Sequence, residues 1–293
     1  MSYCTRAKTN LSETISAGGN SFPPARHSLL GSVEESSGLK SVCGPIFVLG
    51  FPRSGTTGLA SGLSCLDGFA PFSKEGHFLY LFTDAILRIR DNRVNPNCIV
   101  REDNPKAALF SSIAKAVDET YIDALGADSL KWIDKTPGIQ QVNAIPALME
   151  LFPEAWFFYI YRGHREAVRS NIATWPDILD GKELEVANRW VKCQESWRRM
   201  RNHIPEEKRM EIYQPDLRDK PEEVVEEISR FLSLGPKDYN ALTGFWTQNR
   251  VVNRPTYGEA AKSYDSRVLS KKTIRKVDEI CSQEARNWPK ILK

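Results

Sequence analysis

No stretch of the 293-residue chain approaches the roughly 18 to 20 consecutive apolar residues that a membrane-crossing helix needs. The opening stretch MSYCTRAKTNLSETISAGGNSFPPARHS lacks an apolar core flanked by basic residues, so no secretory leader is expected and a cytoplasmic protein is. A surplus of one charge is missing too. Forty Lys and Arg against 37 Asp and Glu leave a formal net charge of +3, without the dense basic stripe of a nucleic-acid or membrane partner. The six cysteines (Cys4, Cys43, Cys65, Cys98, Cys193, Cys281) form no C-x-x-C pair, which excludes a zinc ribbon and a disulfide framework and suits reduced thiols. Neither they nor the four histidines show metal-ligand spacing, so no metal is expected. What is present, 41% hydrophobic and 26% charged residues, is ordinary for a globular protein able to bury a sizeable core.

Residues 1–42 are rich in Ser, Gly, Pro and Thr without periodicity and read as a loose arm or lid. Residues 43–293 read as a single domain. From PIFVLG onward, short apolar runs alternate with longer amphipathic ones, which predicts an α/β three-layer sandwich with a central parallel sheet. Strands are expected at Ile46 to Gly50, Leu130 to Asp134, Trp156 to Tyr161 and Met210 to Tyr213. Helices are expected at Thr56 to Ser64, Gly76 to Arg90, Pro105 to Ala124, Ile139 to Leu151, Arg165 to Thr174, Lys182 to Asn202, Pro221 to Leu232 and Ser270 to Ala285. The patternless stretch from Asn249 to Asp265 reads as a functional loop.

The stretch FVLGFPRSGTTGLASGL is almost a nucleotide P-loop, G-x-x-x-x-G-K-S/T. Gly50 and Gly55 have its spacing, but Thr56 stands where the lysine belongs and the cation is Arg53, inside the loop. An apolar strand entering a glycine-rich turn and a helix aims backbone N–H groups and the positive end of the helix dipole at one point, which favours an anion. The hydroxyls of Ser54, Thr56 and Thr57 can add donors, and Arg53 offers a bidentate fork to phosphate or sulfate. A magnesium-dependent kinase or NTPase would need an acid at a nearby strand end. Asp134 in LKWIDKTP is the best one, with Lys135 adjoining it and the Walker lysine absent.

PRSGTT resembles the 5′-phosphosulfate loop of the sulfotransferases that use 3′-phosphoadenosine 5′-phosphosulfate (PAPS), and is closer to the carbohydrate and tyrosylprotein branch than to the cytosolic PKSGTTW branch. Three further segments carry the resemblance. In YIYRGHREAVRSNI, Arg162 ends an apolar strand and Ser170 follows eight positions later, the family's spacing for two ligands of the 3′-phosphate. WIDKTPG is similar to the family's E-K-S/T-P segment, which implies Lys135 beside the bridging oxygen or the acceptor. IYQPDLRDKPEEVVEEISRFLSL is similar to its Y-E-D-L passage, although Tyr213 stands three residues before Asp216 where the family has two, so the adenine contact it implies for Tyr213 is weakened. The matches run in the family's order from Pro45 to Leu234.

The resemblance implies PAPS as donor, adenosine 3′,5′-bisphosphate (PAP) as product, no metal, and in-line transfer to a hydroxyl or amine of a small-molecule acceptor such as a natural product. A saccharide or protein-tyrosine acceptor, and a nucleotide-binding relative without activity, stay open, as does a homodimer. Glu75 in PFSKEGHFLYLF matches the family's E-x-x-F context for a catalytic glutamate and is the expected general base, with His77 as the alternative. Histidine has the better-placed ordinary pKa, about 6.5 against about 4.3; apolar neighbours such as Phe72 and Phe78 would raise the glutamate's. Arg250, Arg254 and Lys262 lie where the family folds a segment over the nucleotide, which makes Arg254 a candidate ligand. Trp175, Trp246 and Tyr257 are candidates to line an acceptor pocket, and His27, His164 and His203 have no partner visible in the sequence.

Overall fold

The computed structural model describes residues 44–72, 74–125, 131–248 and 269–291. The expected arm over residues 1–42, the loop from Asn249 to Asp265, and with it Arg250, Arg254, Tyr257 and Lys262, lie outside the described residues.

Four strands, β1 (Ile46–Gly50), β2 (Ile133–Lys135), β3 (Trp156–Tyr161) and β4 (Arg209–Tyr213), form one parallel sheet in the order β2-β1-β3-β4. The helices in chain order are α1 (Thr56–Leu63), α2 (Thr83–Arg90), α3 (Asp103–Leu125), α4 (Ile139–Asn143), α5 (Ile145–Leu151), α6 (His164–Thr174), α7 (Pro176–Leu179), α8 (Glu183–Met200), α9 (Gln214–Asp219), α10 (Pro221–Leu232), α11 (Pro236–Gln248) and α12 (Lys271–Ala285). Strand side chains alternate between two cores, as period-2 geometry requires. Phe47, Leu49, Phe157 and Tyr159 join a core with residues of α2 to α8 and α12; Ile46, Val48, Phe158 and Ile160 join one with α1, α10 and α11. Burial on both faces explains why β1 is apolar throughout. The expected three-layer α/β sandwich is the observed one.

Where the elements depart from expectation, a local cause is visible. β2 extends through Lys135, because Lys135 pairs with Val48 in the ladder to β1. The helix expected from Gly76 starts only at Thr83, since His77 has a left-handed backbone (φ 53°) that no right-handed helix can include, held there by the bond from its amide to Thr136. The helix expected over Ile139 to Leu151 is split at Ala144: Pro146 has no N–H to give to the carbonyl four residues back. The unpredicted α7, α9 and α11 each carry a proline within their first two residues, where it fits a helix but reads as a breaker in sequence.

α11 packs on α1 through Trp246 and Gly62. Trp246 is buried in the second core, so it is no part of an acceptor pocket. A Cβ on Gly62 would lie 2.2 Å from the Trp246 ring. Gly62→Ala is therefore expected to destabilise the fold by about 1–3 kcal/mol, seen as a lower urea midpoint. An unchanged midpoint would mean that the two helices separate at little cost.

Candidate active site

β1 and β3 both end at the same edge of the sheet, and in an open α/β sheet that edge is where ligands bind. The turn after β1 is held in shape from several directions. Arg53 adopts a left-handed backbone (φ 68°), an uncommon state for a non-glycine residue that persists only where surrounding structure enforces it. Its carbonyl accepts a hydrogen bond from Arg162 Nη1 at 3.1 Å, and the carbonyl of Pro52 accepts one from Asn171 Nδ2 at 2.9 Å. Gly138 N–H donates to the Gly50 carbonyl at 2.9 Å, which ties the TPG turn to the same loop. Gly55, with φ 95°, starts α1, and a Cβ there would meet the Gln214 side chain at 2.8 Å. No side chain caps α1, so its first amides keep their donors for another acceptor.

Arg162 leaves the end of β3 and Ser170 lies one helix inward on α6. Arg53 Nε reaches Ser170 Oγ at 3.5 Å and the Arg53 carbonyl accepts from Arg162, so Arg53 touches both residues of the pair that the sequence marks by its spacing. Two polar atoms of this group, Ser54 Oγ and Arg162 Nε, are buried without a partner, a condition that an anionic ligand with several oxygens would relieve. Thr56 is buried and Thr57 half-buried at the start of α1. Tyr213, at the end of β4, packs its ring against Tyr161, with centroids 5.3 Å apart. Burial raises its phenol above the ordinary range, and the nearby Arg162 guanidinium works against that rise.

A second group lies at the end of β2. Lys135 Nζ bonds to Glu75 Oε1, and the other oxygen of Glu75 bonds to His77 Nε2. The Lys135 side chain is 4% exposed and its Nζ sits 5.7 Å from the centre of the Phe72 ring. Burial, with a smaller contribution from the neighbouring Arg53 charge, lowers its ammonium to about 8. Glu75 is not enclosed by aromatic rings as expected. Its side chain is 34% exposed and turned to Lys135, while Phe78 packs on Tyr121. His77, like Arg53, has a left-handed backbone, with φ 53°.

Asp134 faces away from this group, because neighbouring residues on a strand point to opposite faces. It is fully buried and accepts hydrogen bonds from Tyr121, Thr136 and Gln141, with the Gly76 amide facing it. That leaves it unsuited to hold magnesium at the loop. Asn171 and the residues around Asp134 escaped the sequence reading; Asn171 differs from its neighbour Ser170 only in being an amide, and nothing local marks it. His164 does have a partner, Asp278 of α12 at 3.0 Å, which also takes two bonds from Arg165. Trp175 is 40% exposed at the end of α6. The described cysteines, Cys65, Cys98, Cys193 and Cys281, are free thiols, and no described helix is long and apolar enough to cross a membrane.

Comparison with known proteins bears directly on this site. The profile of the sulfotransferase family matches residues 45–238, a span containing every described residue of both groups. No curated protein sequence matches. Among solved structures, sulfotransferase STF9 from Mycobacterium avium is similar at a TM-score of 0.52 and 16% identity, over 85% of this chain and 78% of that one. The sulfotransferase domain of the Synechococcus PCC 7002 olefin synthase is similar at 0.52 and 19%, over 84% and 96%. Mouse sulfotransferase SULT7A1, solved with PAP, is similar at 0.52 and 14%, over 83% and 85%.

Proposed function

This chain belongs to the sulfotransferase family, and we propose that residues 43–293 form a single domain that moves the sulfuryl group of PAPS to a hydroxyl or amine of a small-molecule acceptor in the cytoplasm. The observation that carries the reading is the convergence of Arg53, Arg162 and Ser170 on the uncapped start of α1, with Ser54 Oγ and Arg162 Nε buried and partnerless beside it. The residues present fit a nucleotide with anionic groups at both its 3′ and 5′ positions. PAPS would supply the transferable sulfuryl group and a phosphate leaving group.

In this reading the first amides of α1, Gly55, the hydroxyls of Ser54, Thr56 and Thr57, and the Arg53 fork hold the 5′ end of the donor. Arg162 and Ser170 hold the 3′-phosphate, and Tyr213, close to Arg162, borders the nucleotide. Lys135 neutralises the oxygen that gains charge as the sulfur–oxygen bond of the donor breaks. Glu75 takes the acceptor proton as the new bond to sulfur forms, with His77 on its far oxygen as the alternative base. Similarity to a domain of an olefin synthase agrees with a small biosynthetic acceptor. The bonding of Asp134 by three neutral side-chain donors disfavours the magnesium-dependent NTPase reading.

The direct test is to incubate the protein with PAPS and a metabolite library and look by mass spectrometry for products heavier by one SO3 group, alongside retention on immobilised PAP. Magnesium-dependent ATP turnover without PAP retention would replace the reading with a kinase or NTPase; PAP binding without transfer to any acceptor would leave a silent relative.

The lowered pKa of Lys135 makes a pH prediction. The ammonium form is present below about pH 8 and is lost above it. kcat/KM for PAPS, which reports the free enzyme, should therefore fall about tenfold per pH unit above that point. Lys135→Arg keeps its charge and should show a lower but flat profile from pH 8 to 9. A wild-type profile without the fall would remove Lys135 from donor neutralisation.

A further inference from the structure

We propose that Asp134, acting with the Thr136 hydroxyl, is a positioning residue for the reaction: it docks the backbone of Gly76 and His77 against the end of β2 and so fixes Glu75 beside Lys135. The proposal rests on the reading of Glu75 as the base.

The geometry is a two-point attachment. The Gly76 N–H faces the Asp134 carboxylate and favours its charged form. The His77 N–H donates to Thr136 Oγ1 at 3.1 Å, and that hydroxyl donates to Asp134 Oδ1 at 3.0 Å. Two successive amides immediately after Glu75 thus end on one buried carboxylate. Glu75 is partly exposed and lies outside any helix or strand, so its place depends on the backbone that follows it. Asp134 is in turn fixed by Tyr121 Oη at 2.9 Å on Oδ1 and Gln141 Nε2 at 2.7 Å on Oδ2. A Cβ on Gly76 would lie 2.3 Å from both Asp134 Oδ1 and Tyr121 Oη, which shows how closely the segment is seated. β2 is an edge strand, so its outer side is open to receive the segment, and the backbone before it is joined there too, Ala70 N–H donating to the Lys131 carbonyl at 2.9 Å.

The contacts predict an unusual pattern of tolerance. Asparagine at 134 keeps Oδ1 for Tyr121, Thr136 and Gly76, and its NH2 would replace Oδ2. Gln141 Oε1 is buried without a partner, so turning that amide end for end supplies the missing acceptor. Asp134→Asn should therefore keep kcat within about threefold, and Thr136→Ser, which keeps the hydroxyl, should do the same. Asp134→Ala and Thr136→Val should lose roughly ten- to a hundredfold in kcat, the scale expected of a small misplacement of a reacting group, with Kd for PAP unchanged.

The experiment is to measure kcat and PAP affinity for these four variants, and to repeat Thr136→Val in a Glu75→Gln background. If Thr136 acts through Glu75, its substitution costs nothing further there, whereas independent effects multiply. Three results would overturn the proposal: an inactive Asp134→Asn that still binds PAP, a Thr136→Val enzyme with full kcat, or the same Thr136→Val loss in both backgrounds. Full activity of Glu75→Gln alone would instead overturn the assignment of the base, which separates the two failures. Should Asp134→Ala not fold, the contrast between Thr136→Val and Thr136→Ser carries the test.

Discussion

Arg53→Ala is expected to lower sulfuryl transfer by roughly a hundred- to a thousandfold, the range found when one preorganised donor to developing negative charge is removed. Arg53 is the cation inside the loop, where a nucleotide kinase would have its lysine outside. Its side chain spans from the loop to Ser170 on α6, and its own carbonyl accepts from Arg162, so both ends of the residue join the loop after β1 to the pair Arg162 and Ser170. Alanine keeps the carbonyl and removes the fork. Arg53→Lys separates charge from geometry: a point charge that cannot bind bidentately should recover only part of the loss. Steady-state rates with saturating PAPS, measured beside PAP affinity, decide the matter. An Arg53→Ala enzyme with near-normal kcat would mean that the loop amides alone carry the charge.

Glu75→Gln has the second large expected effect, a fall of roughly 10²–10⁴ in kcat, the usual contribution of a positioned general base. PAP binding should be unchanged, because Glu75 stands at the end of β2 and not in the loop after β1. The glutamine can still accept from Lys135 but cannot take a proton. His77→Ala is the companion experiment, expected to cost far less because His77 is half exposed and touches Glu75 from the outer side. Normal turnover of Glu75→Gln together with collapse of His77→Ala would reverse the two roles.

The sheet and most of its helices were legible because their signals are local. β1 and β3 are uninterrupted apolar runs bounded by turn residues, and Arg162 and Ser170, marked by their spacing, both reach Arg53 of the loop after β1. Gly76 to Arg90 misled because an apolar period continues through a segment whose backbone turns left-handed at His77, held there by Thr136 some sixty residues on. Proline misled in both directions: Pro146 split an expected helix, while Pro176, Pro215 and Pro236 began helices that looked like turns. Asp134 itself was visible, but its role was not. In sequence it is an acid at a strand end, open to a metal; only the partners brought by Tyr121, Gln141 and Gly76 show that it is already occupied.

β2 has only three residues, yet it sends adjacent side chains of opposite charge into separate compartments. Both flanks are pinned, by the bond from Ile46 N–H to the Trp132 carbonyl before it and from Gly138 N–H to the Gly50 carbonyl after it. Sliding by a single position would exchange the two, leaving a lysine against the donors of Tyr121 and Gln141 and a carboxylate beside Glu75. Insertions or deletions between Trp132 and Gly138 should therefore be lethal to activity even where point substitutions are absorbed, and libraries built to alter acceptor choice should hold the length of this interval constant.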